Sequence, residues 1–270
     1  MDDLHMKKSK LEEYLKSLGK VAVAFSSGVD STFLLKVCHD VLGENAMAIT
    51  MKTCSVPERE LDESAAFCKK EGIKQMIVDM DQMAIDGFSD NPPDRCYICK
   101  KALFLKLISV SADNGFTNIA EGSNLDDMGD YRPGLKALSE LNVLSPLREA
   151  GLTKSDIREL SRELGLPTWD KPSFACLATR FVYGDKITVE KLRMIDKAEQ
   201  KLLDLGFTQF RVRIHGDIAR IEIKPEEFGK MIKAEVCSEI NGFLQELGFR
   251  YVTMDLGGYV TGSMNRSLKL

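Results

Sequence analysis

Several groups of residues in this chain combine types and spacings that can do chemistry. Ser26-Ser27-Gly28-Val29-Asp30-Ser31 follows an almost wholly apolar run and opens a helical pattern. Its hydroxyls and a glycine that allows close backbone approach face the free N–H groups and positive dipole end of the next helix, a combination suited to a polyphosphate. The loop has neither the Lys-Ser/Thr of a Walker A motif nor Gly-x-Gly-x-x-Gly, and an ordinary strand–helix turn is the alternative reading. Cys96-Tyr97-Ile98-Cys99 follows the breaker Asn91-Pro92-Pro93-Asp94 and opens a helix. Its two thiols share one helical face, and a helix N-terminus favours thiolate. Such a motif reads as a redox pair, half a zinc site or no site at all. A complete zinc site wants four ligands, and only His5, His39 and His215 are available as histidines. Cys176 stands four residues before Arg180. Arg211 and Arg213 alternate on a period-two run, so they share one strand face, which by itself reads as a solvated charged face. Glu222 and Asp217 lie on and before the next run.

These groups need a scaffold. Val21–Phe25, Ala46–Ile49, Gln75–Asp79 and Asn118–Glu121 read as short buried strands, with Val143-Leu144 as a fifth, and helical patterns cover Lys7–Leu18, Ser31–Leu42, Glu58–Glu71 and Cys96–Val110. Thr153-Lys154-Ser155-Asp156 resembles a capping box that opens a helix to Leu164. Repeated strand–helix units predict an α/β, Rossmann-like parallel sheet with helices on both faces and ligands beyond the carboxyl ends of the strands. After Gly184 the pattern changes: a helix Val189–Leu205 capped by Thr188, a hairpin of Gln209–Ile214 and Ala219–Ile223 turning at His215-Gly216-Asp217, a helical stretch to Leu247 and a strand Arg250–Leu256. The order predicts a small α+β domain for substrate binding or oligomerisation. The expected division is 1–183 and 184–270.

The chain has 270 residues, a formal charge of −4, 44% hydrophobic and 29% charged residues. It is long enough for a substantial core, and disordered and low-complexity classes are excluded. The acidic balance argues against a protein built to hold nucleic acid. There is no apolar run of transmembrane length and no apolar stretch in Met1–Lys8 that would serve as a signal peptide. Seven cysteines, an odd number, argue against a disulfide framework and for a reducing cytoplasm. Cys38, Cys68 and Cys237, on helical patterns, read as small buried hydrophobes.

Ser26–Ser31 resembles the Ser-Gly-Gly-x-Asp-Ser signature of the PP-loop ATP pyrophosphatases, with Ser27 in place of the first glycine. Glu121-Gly122-Ser123-Asn124-Leu125-Asp126-Asp127, continued by Asp130–Gly134, is similar to the segment of that class that closes on the nucleotide. Pro172–Arg180 and the arginine-rich hairpin Arg211–Glu222 narrow the resemblance to the LarE family, from about residue 10 to residue 255. The resemblance implies ATP-dependent sulfur insertion into pyridinium-3,5-biscarboxylic acid mononucleotide, on the way to the nickel-pincer nucleotide cofactor of lactate racemase. The carboxylate is adenylated, pyrophosphate leaves, and a sulfur nucleophile then displaces AMP. By the same resemblance ATP and Mg²⁺ are bound at Ser26, Ser27, Gly28, Val29, Asp30, Ser31, Met51, Gly122, Asn124, Asp126 and Arg132. The mononucleotide is held by Arg180, Arg211, Arg213 and Glu222.

In many members of the family the cysteine matching Cys176 gives up its own sulfur. In a subset, three cysteines hold a [4Fe–4S] cluster with one open iron, fed by sulfide or another sulfur donor, and Cys96, Cys99 and Cys176 resemble that set. Both readings stand on the sequence, as does zinc or disulfide chemistry. A homo-oligomer without a nucleic-acid or membrane partner is expected. A tRNA thiolase, an amidating ligase and a regulator that merely binds adenine nucleotide are the alternatives from other classes.

Overall fold

Val21–Ala24 (β1) is apolar and is buried because it lies inside a sheet covered on both faces. The computed structural model describes residues 2–129 and 133–263. Before β1 comes α1 (Asp3–Leu18), and after it α2 (Val29–Leu42), β2 (Ala46–Lys52), α3 (Glu58–Glu71), β3 (Lys74–Asp79), α4 (Arg95–Asp113) and β4 (Asn118–Ala120). The strands are parallel in the order β3-β2-β1-β4, as the strand–helix alternation predicts. Alternation along the strands divides the core. Val21, Val23, Ala46 and Ala48 pack with Leu11, Leu15, Phe33 and Leu34 on one face; Ala22, Met47 and Ile49 pack with Phe104, Leu107 and Leu138 on the other. The expected fifth strand at Val143-Leu144 is reduced to one parallel bridge, Ala120 to Leu144. The helices α5 (Pro133–Glu140), α6 (Pro146–Glu149) and α7 (Lys154–Glu163) follow. The capping box that opens α7 is present: the Thr153 hydroxyl accepts from Asp156 N at 3.2 Å, and the Asp156 carboxylate accepts from Thr153 N at 3.0 Å.

The chain divides into two units. The first comprises Met1–Asp81 and Cys96–Ser173, the second Gln82–Arg95 and Phe174–Leu270. The division thus falls about ten residues before the expected one, and the second unit also takes in a segment from the middle of the chain. Hydrogen bonds within that unit explain both differences. Gly184 N donates to Asn91 O at 3.0 Å, Ile187 N to Ser89 O at 2.8 Å, and Arg95 Nη1 to Ala178 O at 3.0 Å. The Asn91 amide, fully buried, donates to Val182 O at 2.6 Å.

The second unit is built on α8 (Val189–Asp204), β5 (Phe210–His215), β6 (Ile218–Ile223), α9 (Phe228–Met231), α10 (Ala234–Glu246) and β7 (Tyr251–Met254). The hairpin β5–β6 is antiparallel and β7 joins β6 in parallel. Thr188 caps α8 through the backbone of Lys191, as the sequence predicts. Phe210–Ile214 is buried throughout, because α8 packs on β5 and the segment through Phe181 pairs with Ile214. Among the described residues no helix is long and apolar enough to cross a membrane.

Candidate functional site: a phosphate cleft and a buried arginine cluster

The first unit holds a cleft of about 520 Å³ at the carboxyl end of its sheet. Gly28 precedes α2 in an extended conformation and the helix has no side-chain cap, so its first N–H groups point into the loop. Thr32 N makes the first helical bond, to Gly28 O. The Ser31 hydroxyl donates to Gly28 O at 3.2 Å and lies 3.1 Å from the Ser26 hydroxyl. A Cβ at Gly28 would sit 3.5 Å from Ser26 Oγ, among these hydroxyls. Ser27 takes a left-handed backbone, φ 54°, where the PP-loop signature has glycine. It is buried, and its hydroxyl donates to Glu60 O at 3.1 Å.

The loop after β4 closes the opposite wall. A Cβ on Gly122 would come within 3.0 Å of Ser31 N, so only glycine lets this loop approach the α2 terminus so closely. The Asn124 amide donates to Asp30 Oδ1 at 3.3 Å and its carbonyl oxygen accepts from Asp126 N at 2.9 Å. Glu121, buried, accepts from the Ser123 and Ser145 hydroxyls at 2.8 and 2.7 Å. An apolar wall of Ile49, Met51, Val56, Leu61, Leu103 and Phe104 lines the remainder, suited to an adenine ring. Of the residues expected at ATP, Ser26, Gly28, Asp30, Ser31, Met51, Gly122, Asn124 and Asp126 line the cleft, while Ser27 and Val29 are buried beneath it. Arg132 lies outside the described residues.

Sequence reasoning missed Lys154. Its ammonium lies 2.6 Å from Asp30 Oδ2, and its backbone N–H donates to Asp126 at 2.8 Å. The available signal was its place inside the capping box that opens α7: a helix start aimed at the carboxyl end of the sheet carries its first residues to the ligand side. Lys171 was missed as well; its ammonium donates to Ser27 O at 3.0 Å and pairs with Glu63.

The second unit contains a buried charge cluster. Arg180 is completely buried; its Nε and Nη2 each donate at 2.8 Å to the equally buried carboxylate of Glu199. Its Nη1 holds Ala175 O at 2.8 Å and Cys176 O at 3.3 Å. Burial alone would raise the Glu199 carboxyl; the charge and hydrogen bonds of Arg180, with help from Arg211 and the Val212 N–H, hold it below its ordinary value. Arg213 donates to Glu222 at 3.0 Å and to Thr179 O at 2.9 Å, and Arg220 shares Glu222 at 2.9 Å. Arg211 lies between the rings of Phe174 and Tyr259, 5.6 and 5.0 Å from their centres. Burial, then the positive charge of Arg180, push its guanidinium down to about 10. Arg211 and Arg213 are therefore not a solvated face: they are 3% and 5% exposed.

Cys176 is exposed, on a backbone fixed by Arg180 and followed by a 3₁₀ turn. Cys96 is half-buried and Cys99 buried, both in the first turns of α4. Cys96 and Cys99 belong to the first unit and Cys176 to the second. Among the described residues no three His, Cys, Asp or Glu side chains are gathered for a metal ion. Burial pushes Cys38 and Cys68 up to about 12, in keeping with a packing role, whereas Cys237 is exposed and not the buried hydrophobe expected.

Residues 4–93, which carry the phosphate loop, match the family described as NAD synthase. Over its whole length the chain is similar to the pyridinium-3,5-bisthiocarboxylic acid mononucleotide synthase of Lactiplantibacillus plantarum: 39% identical over 269 residues, 99% of this chain and 97% of that protein. The chain belongs to the LarE family. It is accordingly an ATP-dependent, adenylating sulfur transferase on a PP-loop fold. An uncharacterised protein of Synechocystis is 41% identical over 98% of this chain and 99% of its own. A subunit of the glutamine-hydrolysing GMP synthase of Thermoplasma acidophilum is 28% identical over 82% of this chain and 70% of its own. The match to the plantarum synthase thus covers both units, phosphate cleft and arginine cluster together.

Proposed function

We propose that this LarE-family enzyme converts a carboxylate of pyridinium-3,5-biscarboxylic acid mononucleotide into a thiocarboxylate, toward the nickel-pincer nucleotide. The observation that carries the reading is the cleft: an uncapped helix terminus, serine hydroxyls and Lys154 converge beside an apolar wall, in a chain alike over its full length to the plantarum synthase. The substrate carboxylate oxygen attacks the α-phosphorus of ATP, the bond to the bridging oxygen breaks and pyrophosphate leaves. A sulfur nucleophile then attacks the acyl carbon and AMP departs with the former carboxylate oxygen. The α2 terminus, Ser26 and Ser31 hold phosphate oxygens, and Lys154 offsets charge on the leaving pyrophosphate. Asp30 and Asp126 are hard oxygen donors of the kind Mg²⁺ takes.

Arg211 is our first candidate for the phosphate of the mononucleotide, with Arg213 beside it: guanidinium forks suit phosphate. Arg180 and Glu222, engaged with Glu199 and with Arg213 and Arg220, are assigned to holding the site in shape. Cys176 is the sulfur-bearing residue in this reading, supported by its exposed thiol. Cys96, Cys99 and Cys176 offer soft thiolates of the kind a [4Fe–4S] cluster takes, three where a zinc ion wants four, although among the described residues the structure does not gather three such side chains for a metal ion. Such a cluster, when bound, supplies an open iron for a sulfide. The roles expected of 1–183 and 184–270 pass to the two units of the fold: the first for ATP and the second, which carries Arg180, Arg211 and Arg213, for substrate or subunit contact. A reducing cytoplasm and a homo-oligomer belong to the same reading, supported by the odd number of cysteines and by the exposed Ile232, Tyr251 and Leu256.

The test is anaerobic incubation of the protein with ATP, Mg²⁺ and the dicarboxylate mononucleotide. AMP, pyrophosphate and thiocarboxylate should form in step. ADP and orthophosphate as products, or pyrophosphate release without dependence on the mononucleotide, would overturn the assignment.

A further inference from the structure

The phosphate loop has an energetic problem at Ser27. A residue with a Cβ is strained in the left-handed region, where glycine is not. Ser27 sits there, φ 54°, in the middle of the loop that must stay open to phosphate. Its carbonyl accepts from Lys171, whose Nζ lies 3.0 Å from Ser27 O and 3.5 Å from Ser27 Oγ. The segment carrying Lys171 is itself fastened. Arg158, on α7, donates from Nη1 to Trp169 O at 2.7 Å and from Nη2 to Lys171 O at 2.8 Å. Glu63, on α3, pairs with the same ammonium. Lys171 is thus tied at its backbone to α7 and at its tip to α3, and the Ser27 carbonyl lies between those two anchors. The Lys171 side chain is 14% exposed and does not line the cleft.

We infer that Lys171 is a positioning residue for ATP: its ammonium holds the Ser27 carbonyl and so keeps the phosphate loop in the left-handed conformation that glycine would adopt unaided. It does not touch the nucleotide; it acts through Ser27. The pairing of serine in the loop with a lysine beneath it is a local compensation, and the same segment runs on, five residues later, to Cys176. This rests on the loop being the phosphate cradle.

The test is a double-mutant cycle on ATP affinity. Pyrophosphate release and KM for ATP are measured for the wild type, Lys171→Met, Ser27→Gly and the double variant, with thermal unfolding followed for each. Lys171→Met keeps the apolar stem and removes the charge. It should raise KM for ATP on the order of tenfold, with a smaller change in kcat, since one charged hydrogen bond on the loop is lost. In the Ser27→Gly background, where the backbone needs no brace, the same substitution should change KM less than threefold. An equal loss in both backgrounds would overturn the proposal and make Lys171 a direct phosphate ligand. An unchanged KM in Lys171→Met would overturn it too. If Lys171→Met unfolds, Glu63→Gln, which loosens the same ammonium from the exposed side, is compared with and without Ser27→Gly under the same criterion. Wild-type protein that releases no pyrophosphate would instead count against the reading of the cleft.

Discussion

Asp30 and Lys154 are 124 positions apart in sequence, and their charged groups meet at 2.6 Å across the mouth of the phosphate cleft. The pair joins the first turn of α2 to the first turn of α7. Bound magnesium nucleotide offers both partners a better match, phosphate for the ammonium and metal for the carboxylate. Lys154→Met should therefore raise KM for ATP about ten- to a hundredfold, the worth of one charged hydrogen bond. It should also lower the Mg²⁺ concentration needed for half-maximal rate, because Asp30 loses its competitor. Pyrophosphate release titrated against ATP and against Mg²⁺ checks both; an unchanged KM removes Lys154 from the site.

Two glycines should fail in different ways. A side chain at Gly28 points among the Ser26 and Ser31 hydroxyls without meeting them closely. Gly28→Val should fold and abolish pyrophosphate release by filling the phosphate position. At Gly122 the added atom meets Ser31 N at 3.0 Å. Gly122→Ala must push two backbones apart, so it should lower both stability and ATP affinity. Thermal melts and pyrophosphate assays on the two variants separate the cases; normal activity in Gly28→Val would exclude the loop as the phosphate cradle.

The phosphate side was legible in the sequence because its signals are local. A buried strand, a loop of small residues and a helix start lie in one stretch, and Ser26, Gly28 and Ser31 line the cleft accordingly. What closes the site from a distance was not. Lys154 and Lys171 are ordinary lysines in the sequence, and only folding brings them to Asp30 and Ser27. Period-two alternation puts Arg211 and Arg213 on one face, but it carries no information on what covers that face, and the structure buries both. In sequence the Asn91–Asp94 breaker reads as a simple interruption. In the fold, Asn91 is a fully buried anchor of the second unit, a role set by its bond to Val182.

The buried pair of Arg180 and Glu199 makes stability depend on acid pH. Glu199 is held below its ordinary carboxyl value of 4.5, chiefly against burial and through Arg180. Its contribution is complete above the unfolded value and is lost as pH falls through the depressed folded one. Denaturant unfolding from pH 6 to pH 3 should show wild-type stability falling below about pH 4.5 more steeply than in Glu199→Gln. Removing one partner of a buried pair costs about 3–5 kcal/mol, so Glu199→Ala should be strongly destabilised at neutral pH. Parallel pH profiles for wild type and Glu199→Gln would show that the carboxylate does not titrate with folding.

Arg211 and Arg213 should separate on substitution. Arg213→Met takes a partner from Glu222, which is fully buried and would keep Arg220 and the Ser263 hydroxyl, both on its other oxygen. A loss of stability toward the low end of about 3–5 kcal/mol is expected there. Arg211 stacks between aromatic rings, so Arg211→Met keeps much of its packing and loses its charge together with the bond from Nη1 to Phe210 O at 2.6 Å. Binding of the mononucleotide should weaken about ten- to a hundredfold while binding of ATP is little changed. Calorimetry with each ligand decides it; equal damage to both affinities would mark Arg211 as a structural residue.

The sulfur source is decided at Cys176. Its thiol is exposed, and Arg180 fixes the carbonyls on either side of the Ala175–Cys176 bond, so the sulfur is presented on a rigid backbone. Cys38 and Cys68, pushed up by burial to about 12, are poor thiolates and serve as internal controls: a thiol-alkylating reagent at neutral pH should label Cys176 well before either. If sulfur is carried on a cluster held by Cys96, Cys99 and Cys176, the anaerobically purified protein should contain iron. It should make several products per chain when supplied with sulfide and show an unmodified Cys176 by mass spectrometry afterwards. Replacing any one of the three by alanine should remove iron and multiple turnover together. If Cys176 instead surrenders its own sulfur, turnover stops at one product per chain, the residue loses the mass of H₂S to become dehydroalanine, and Cys96→Ala stays active. The two routes cannot share these outcomes, because a cysteine that has given up its sulfur can neither bind iron nor act again.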